Sequence, residues 1–209
     1  MVSRYVPRQT QAVELARRAF AAGARTSTVE FLTGLDRWAL RRYLTFEPGG
    51  APKPGKRPDS PERFVKNAGL ATIVDASLAY VLYRDHLEHW PQRAEALVTS
   101  YEHYARRRAP CGLSFDRVFY VVCWTDCVWV WKGREAIFRF TTCTFCHCRY
   151  LASPASVEDH ARECPFCKVQ VRYLRDPRLR SHFPEREYPP IAAALAGVMT
   201  SVVAPAESG

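Results

Sequence analysis

Two CxxC pairs, Cys143-Thr144-Phe145-Cys146 and Cys164-Pro165-Phe166-Cys167, stand 17 residues apart in a chain of 209. No other feature constrains the fold as much. A CxxC turn lets two thiolates reach one ion while its backbone amides donate to the sulfurs, and a second pair at this separation completes a tetrahedron. The spacing therefore predicts a small four-cysteine, zinc-ribbon-like module over residues 136–174, with one zinc ion held by Cys143, Cys146, Cys164 and Cys167. Such a site is closed, hence structural rather than catalytic. His147, Cys148 and His160 lie in the same stretch and compete as ligands, but the four CxxC cysteines match the spacing without adjustment. Four thiolates on a divalent ion carry net charge −2, which Arg149, Arg162, Lys168 and Arg172 are placed to offset. A thioredoxin-like reading requires a single CxxC in a βαβ setting, and the flanking sequence offers none.

The other cysteines, Cys111, Cys123 and Cys127, lack ligand spacing and lie in or beside an apolar, aromatic stretch, where free cysteine behaves as a small buried hydrophobe. The start MVSRYVPRQTQ has no apolar secretory core, and the longest late apolar run, Ile191 to Val203, is too short to span a bilayer. A cytoplasmic protein without membrane contact is expected, and a reducing compartment favours metal over disulfides.

Charge is the second departure from an ordinary globular composition. The chain carries a net +9, and residues 1–70 hold 13 Lys+Arg against 6 Asp+Glu, so +7 of it sits near the N-terminus. A field of that sign favours polyanionic partners. Within this segment Gln11 to Ala22 reads as an amphipathic helix that Thr10 could cap. Ser27 to Thr33 reads as a second helix, Gly34 as a turn, and Asp36 as the N-cap of a third running to about Leu44. Val29, Leu32, Leu35 and Leu40 would share a core between steeply crossing helices, as in a helix-turn-helix. Arg37 and Arg41 are four apart on one face, suited to phosphate contact or guanine readout. Arg25, Arg37, Trp38, Arg41 and Arg42 are the candidate DNA contacts, Trp38 being the weakest because a single tryptophan on a short helix is usually core.

The rest reads as mainly α. A Pro/Gly loop at 48–63 follows the N-terminal helical segment at 1–47; helical spacing over Phe64–Glu88 and after Pro91 builds a core across 64–135; a tail occupies 175–209. Phe115 to Trp131 is almost continuously apolar, so periodicity leaves open a buried helix or a strand in its Cys127–Trp131 part. Ala136 to Thr142 alternates like a strand leading into the cysteines. After Tyr188 the tail is apolar and rich in Ala and Pro, compatible with a short packed helix or a loose end.

Several of these segments, in order, resemble FlhC, the zinc-containing subunit of the FlhD–FlhC flagellar transcriptional activator. They are Ala24-Arg25 with Val29, Thr33-Gly34-Leu35 and Leu40-Arg41-Arg42; the Gly50–Gly55 and Pro58-Asp59-Ser60 loop; Ala96-Leu97-Val98 with Tyr101 and Tyr104; Leu113–Arg117; and the two CxxC pairs. The likeness covers roughly residues 10–170 and describes a divergent member, since Val118 to Arg139 is longer and richer in Trp and the tail differs. It implies a DNA-binding activator of flagellar genes, hetero-oligomeric with an FlhD-like subunit, with double-stranded DNA as its other partner and zinc as its cofactor. The alternative is a zinc-ribbon nucleic-acid-binding or interaction module outside the flagellar pathway. An enzyme is not expected, because Cys111, Cys123 and Cys127, with Asp85, His86 and His89, show no catalytic spacing.

Overall fold

The computed structural model describes residues 5–44, 61, 64, 68–90, 92–108, 112–152 and 164–185. Apart from Pro61, the Pro/Gly loop expected at 48–63 lies outside them, as do Cys111, His160, Arg162 and the tail from 186. The fold is mainly helical, with one two-stranded sheet. We number α1 Tyr5–Ala21, α2 Thr26–Thr33, α3 Arg37–Tyr43, α4 Leu70–His89, α5 Arg93–Arg108, α6 Phe115–Asp126, β1 Arg139–Thr142, β2 Arg149–Ala152, α7 Pro165–Arg172 and α8 Pro177–His182. No helix among the described residues is long and apolar enough to cross a membrane.

Helix α1 begins earlier than its periodicity suggests, so Thr10 lies inside it rather than at its cap. Gly34 adopts the left-handed conformation (φ 70°) that ends α2, where an L side chain would be strained. Asp36 does cap α3, accepting from the Ala39 amide at 2.7 Å. Helix α2 lacks a cap of its own. Asp116 of α6 supplies it from across the core, accepting from the Thr28 hydroxyl at 2.6 Å and the Arg25 amide at 3.2 Å. Arg18 pins α1 to α5 through Glu102, Thr99 and Glu95.

The apolar stretch that periodicity left open is a buried helix only as far as Asp126. Cys127 turns left-handed (φ 54°), and Trp129–Trp131 forms a 3₁₀ turn instead of a strand. Leaving the helix there brings Trp129 into a stacked contact with Phe119 at 5.2 Å, and Trp131 bonds the Glu135 carbonyl. Phe115, Val118, Phe119, Val121, Val122 and Cys123 are fully buried. Helix α6 is thus the centre of the helical core.

Helix α4 carries Asp75 and Ser77, both almost completely buried. A buried polar group is tolerated only when bonded, and each of these holds a piece of the C-terminal module. Ser77 Oγ accepts from the Leu151 amide of β2 at 3.1 Å. Asp75 accepts from Arg108 Nε at 2.7 Å and from His182 Nε2 at 2.6 Å. Arg108 in turn donates to the His182 carbonyl at 3.0 Å and lies over the Phe183 ring. Asp85, on the same helix, pairs with Arg149. The folded part therefore continues through α8 to residue 185, beyond the boundary at 174 that spacing suggested.

Candidate metal centre

Strands β1 and β2 pair antiparallel with Thr142 opposite Arg149, so the first CxxC forms the turn of a hairpin. The turn closes through Cys143 N to Cys148 O at 3.0 Å and His147 N to Cys143 O at 3.1 Å, with His147 left-handed at φ 56°. The second pair is not a matching hairpin knuckle, which is where the fold departs from a ribbon. Cys164 is the N-cap of α7, its sulfur accepting from the Cys167 amide at 3.3 Å, and Pro165 starts the helix. Proline at the first helical position needs no amide partner, and the helix N-terminus favours thiolate.

All four sulfurs lie within 4.8 Å of one another, and they form the metal-competent cluster among the described residues. Cys143 to Cys167 is 3.9 Å and Cys146 to Cys164 is 3.4 Å. A tetrahedron with metal–sulfur bonds of about 2.3 Å has edges of about 3.8 Å, so the cluster fits one four-coordinate ion. Amide donors of the knuckle add to this. The backbone at Cys146 and at Phe145 donates to Cys143, whose thiol is pushed down to about 6. Cys164 moves the other way through burial, a cost that a cation on the sulfur removes.

Cys148 is exposed and outside the cluster, and so is His147. Cys148→Ser should therefore leave metal content at that of the parent protein, whereas Cys143→Ser should lose nearly all of it; elemental analysis of the purified variants checks both. Of the cations expected to offset the cluster charge, Arg149 is instead paired with Asp85, and its role is to dock β2 on α4.

No protein-family model matches the chain, and no curated protein does.

The candidate DNA contacts separate into two groups. Arg25 is turned inward, its Nε 3.4 Å from the buried Asp116 carboxylate and its Nη1 shielded from solvent, so it serves the α2–α6 contact rather than a free surface. Arg37, Arg41 and Arg42 are exposed on α3 and have no ion pair among the described residues. Trp38 is not core: it is 83% exposed beside them. Burial is what a single tryptophan on a short helix usually implies, but α3 buries only Leu40, and its short length leaves the opposite face to solvent. Asp75, Ser77 and Asp85 were invisible as anchors in the sequence; two polar residues inside an apolar helical stretch were the available signal.

Of the remaining candidates for chemistry, Cys123 and His86 lie in packed surroundings. Cys123 is fully buried, and its thiol is pushed up to about 12 by desolvation, so it is protonated and shielded at neutral pH. His86 stacks on Trp90 and shares a 3.0 Å contact between its Nε2 and His103 Nδ1.

Proposed function

We infer that the chain is a DNA-binding transcriptional regulator of the FlhC type, with one structural zinc ion and no catalysis of its own. The observation that carries this reading is the exposed face of α3, where Arg37, Trp38, Arg41 and Arg42 stand together on the helix that follows the Gly34 turn. Guanidinium groups with no ion pair among the described residues match the phosphates and guanine edges of duplex DNA, and an exposed Trp among them adds stacking or groove contact. The charge concentrated in residues 1–70 raises the local concentration of a polyanion at that face. Resemblance to FlhC supplies the rest: flagellar promoters as targets, an FlhD-like partner and a cytoplasmic site of action.

Zinc suits the all-thiolate, tetrahedral donor set of Cys143, Cys146, Cys164 and Cys167. Its contribution there is to lock the hairpin to α7. Iron, the other ion that such a set accepts, would colour the protein.

Binding to duplex promoter DNA should weaken about tenfold or more in an Arg37→Ala/Arg41→Ala variant, and the slope of log affinity on log salt should flatten by about two, roughly one for each phosphate no longer neutralised. Anisotropy titrations at several salt concentrations measure both. Unchanged affinity and slope would remove α3 as the recognition element. Co-expression with an FlhD-type subunit should give a complex of higher mass than the chain alone; a chain that binds nucleic acid without such a partner points to the module outside the flagellar pathway.

A further inference from the structure

Two imidazoles meet across the helix pair α4 and α5: His86 Nε2 lies 3.0 Å from His103 Nδ1. The ring centroids are 4.8 Å apart with planes at 68°, so the rings approach through these nitrogens rather than by stacking. Trp90 lies nearly parallel to the His86 ring at 5.5 Å and holds its plane. Both histidines are half-buried, which leaves the pair open to water on one side. They stand outside the four-sulfur cluster and supply two donors where that cluster supplies four.

The far nitrogen of His86 decides what the near one offers. His86 Nδ1 is 2.8 Å from the Leu82 carbonyl oxygen, which can only accept, so Nδ1 carries the hydrogen. In the neutral ring Nε2 is then a bare lone pair facing His103. Metal-ligating imidazoles are commonly set in this way, the far N–H donating to a backbone carbonyl that fixes tautomer and orientation. The separation fits as well. Two nitrogens about 2.0–2.1 Å from one ion are about 2.9 Å apart at a right angle and about 3.4 Å apart at the tetrahedral angle. The 3.0 Å found here suits adjacent positions of a tetragonal ion, the geometry that Cu(II) and Ni(II) adopt with nitrogen and oxygen donors. The acidic residues next to the pair in sequence, Asp85 and Glu102, are engaged by Arg149 and Arg18, which leaves the other positions to water.

We propose that His86 and His103 form a second metal site, taking one Ni²⁺ or Cu²⁺ ion between α4 and α5 with water as its remaining ligands. His86 enters as it stands. His103 transfers its Nδ1 proton to Nε2 through water, so that Nδ1 presents a lone pair; this is a tautomerisation, with no net proton gained or lost. Arg106 and Arg107, one turn further along α5, are exposed, so water and salt screen their repulsion of the ion. The ion would staple the last turn of α4, beside the Asp85 that holds β2, to α5. Nothing in this requires α3 to bind DNA.

The test uses untagged full-length protein with zinc in its cysteine centre, titrated calorimetrically with Ni²⁺, which does not oxidise thiolates. One further ion should bind per chain with the zinc content unchanged. His86→Gln and His103→Gln should each weaken that binding about tenfold or more. His89, whose Nδ1 donates to the Asp85 carbonyl at 2.9 Å, lies outside the pair, and His89→Gln should leave the affinity as it was. A second measurement needs no variant: in the parent protein, bound Ni²⁺ should protect His86 and His103 from diethylpyrocarbonate, read by peptide mass, and leave His89 reactive. Failure to bind a further ion, binding that survives either substitution in the pair, an equal loss in His89→Gln, or protection spread evenly over the histidines would overturn the proposal.

Discussion

Stripping the metal from the full-length protein with a strong chelator should unfold the segment from β1 to α8 while most helical signal survives. Among the described residues of that segment the large aliphatic side chains that are buried are Leu151 and Leu179. Each contributes about 1.5–3 kcal/mol on burial, whereas a structural zinc ion on thiolates contributes about 10–16 kcal/mol of apparent binding free energy. The metal dominates. Its loss would free α7 from the hairpin, because the β1–β2 turn and α7 each supply two of the four clustered sulfurs that would hold the ion. Near-UV dichroism should lose the contributions of Phe140, Tyr150, Tyr173 and Phe183 but keep those of Trp124 and the tyrosines packed in the helical core; far-UV dichroism should fall only modestly, since α1, α4, α5 and α6 hold most of the helical residues. Near-UV dichroism unchanged after complete metal loss would end the structural-site reading. Cys164→Ser should reproduce the chelated state, because Cys164 is 1% exposed and is both ligand and N-cap.

The second large effect is expected at Asp75. Its carboxylate is 1% exposed and holds Arg108, whose side chain is 14% exposed, together with His182. Asp75→Ala leaves the guanidinium buried without its counter-charge, a loss of about 3–5 kcal/mol. For a domain of this size each kcal/mol is about 2–4 °C, so the melting temperature should fall by roughly 10 °C. The damage should also be directional, since His182 and Phe183 lose their anchor: proteolysis should reach residues 177–185 before it reaches α1–α6. Asp75→Leu combined with Arg108→Met should recover part of the loss, because replacing both members of a buried pair removes the stranded charge. A drop of under about 1 kcal/mol in Asp75→Ala by denaturant titration would show that the latch contributes little.

Local chemistry made the metal centre legible. A CxxC turn brings two sulfurs together through backbone geometry within four residues, so its spacing survives any fold that contains it. The α2–Gly34–α3 segment was readable for a similar reason: a left-handed glycine and an aspartate N-cap act within a turn of the residues they terminate. Sequence could not say that Arg25 faces inward and Trp38 outward, because that depends on Asp116, 91 residues away from Arg25, and on what else packs against α3.

The same division runs through the whole protein. Short-range spacing and composition were enough to specify a mainly helical chain, a four-cysteine centre and a basic N-terminal segment. It took the packed molecule to reveal that α4 is the scaffold for both halves, with Asp75, Ser77 and Asp85 gripping α8 and β2. Packing likewise ends the aromatic run in a 3₁₀ turn, where Trp129 meets Phe119. These outcomes rest on contacts between residues far apart in the chain, and a one-dimensional pattern carries periodicity but not the identity of the surface each residue will meet.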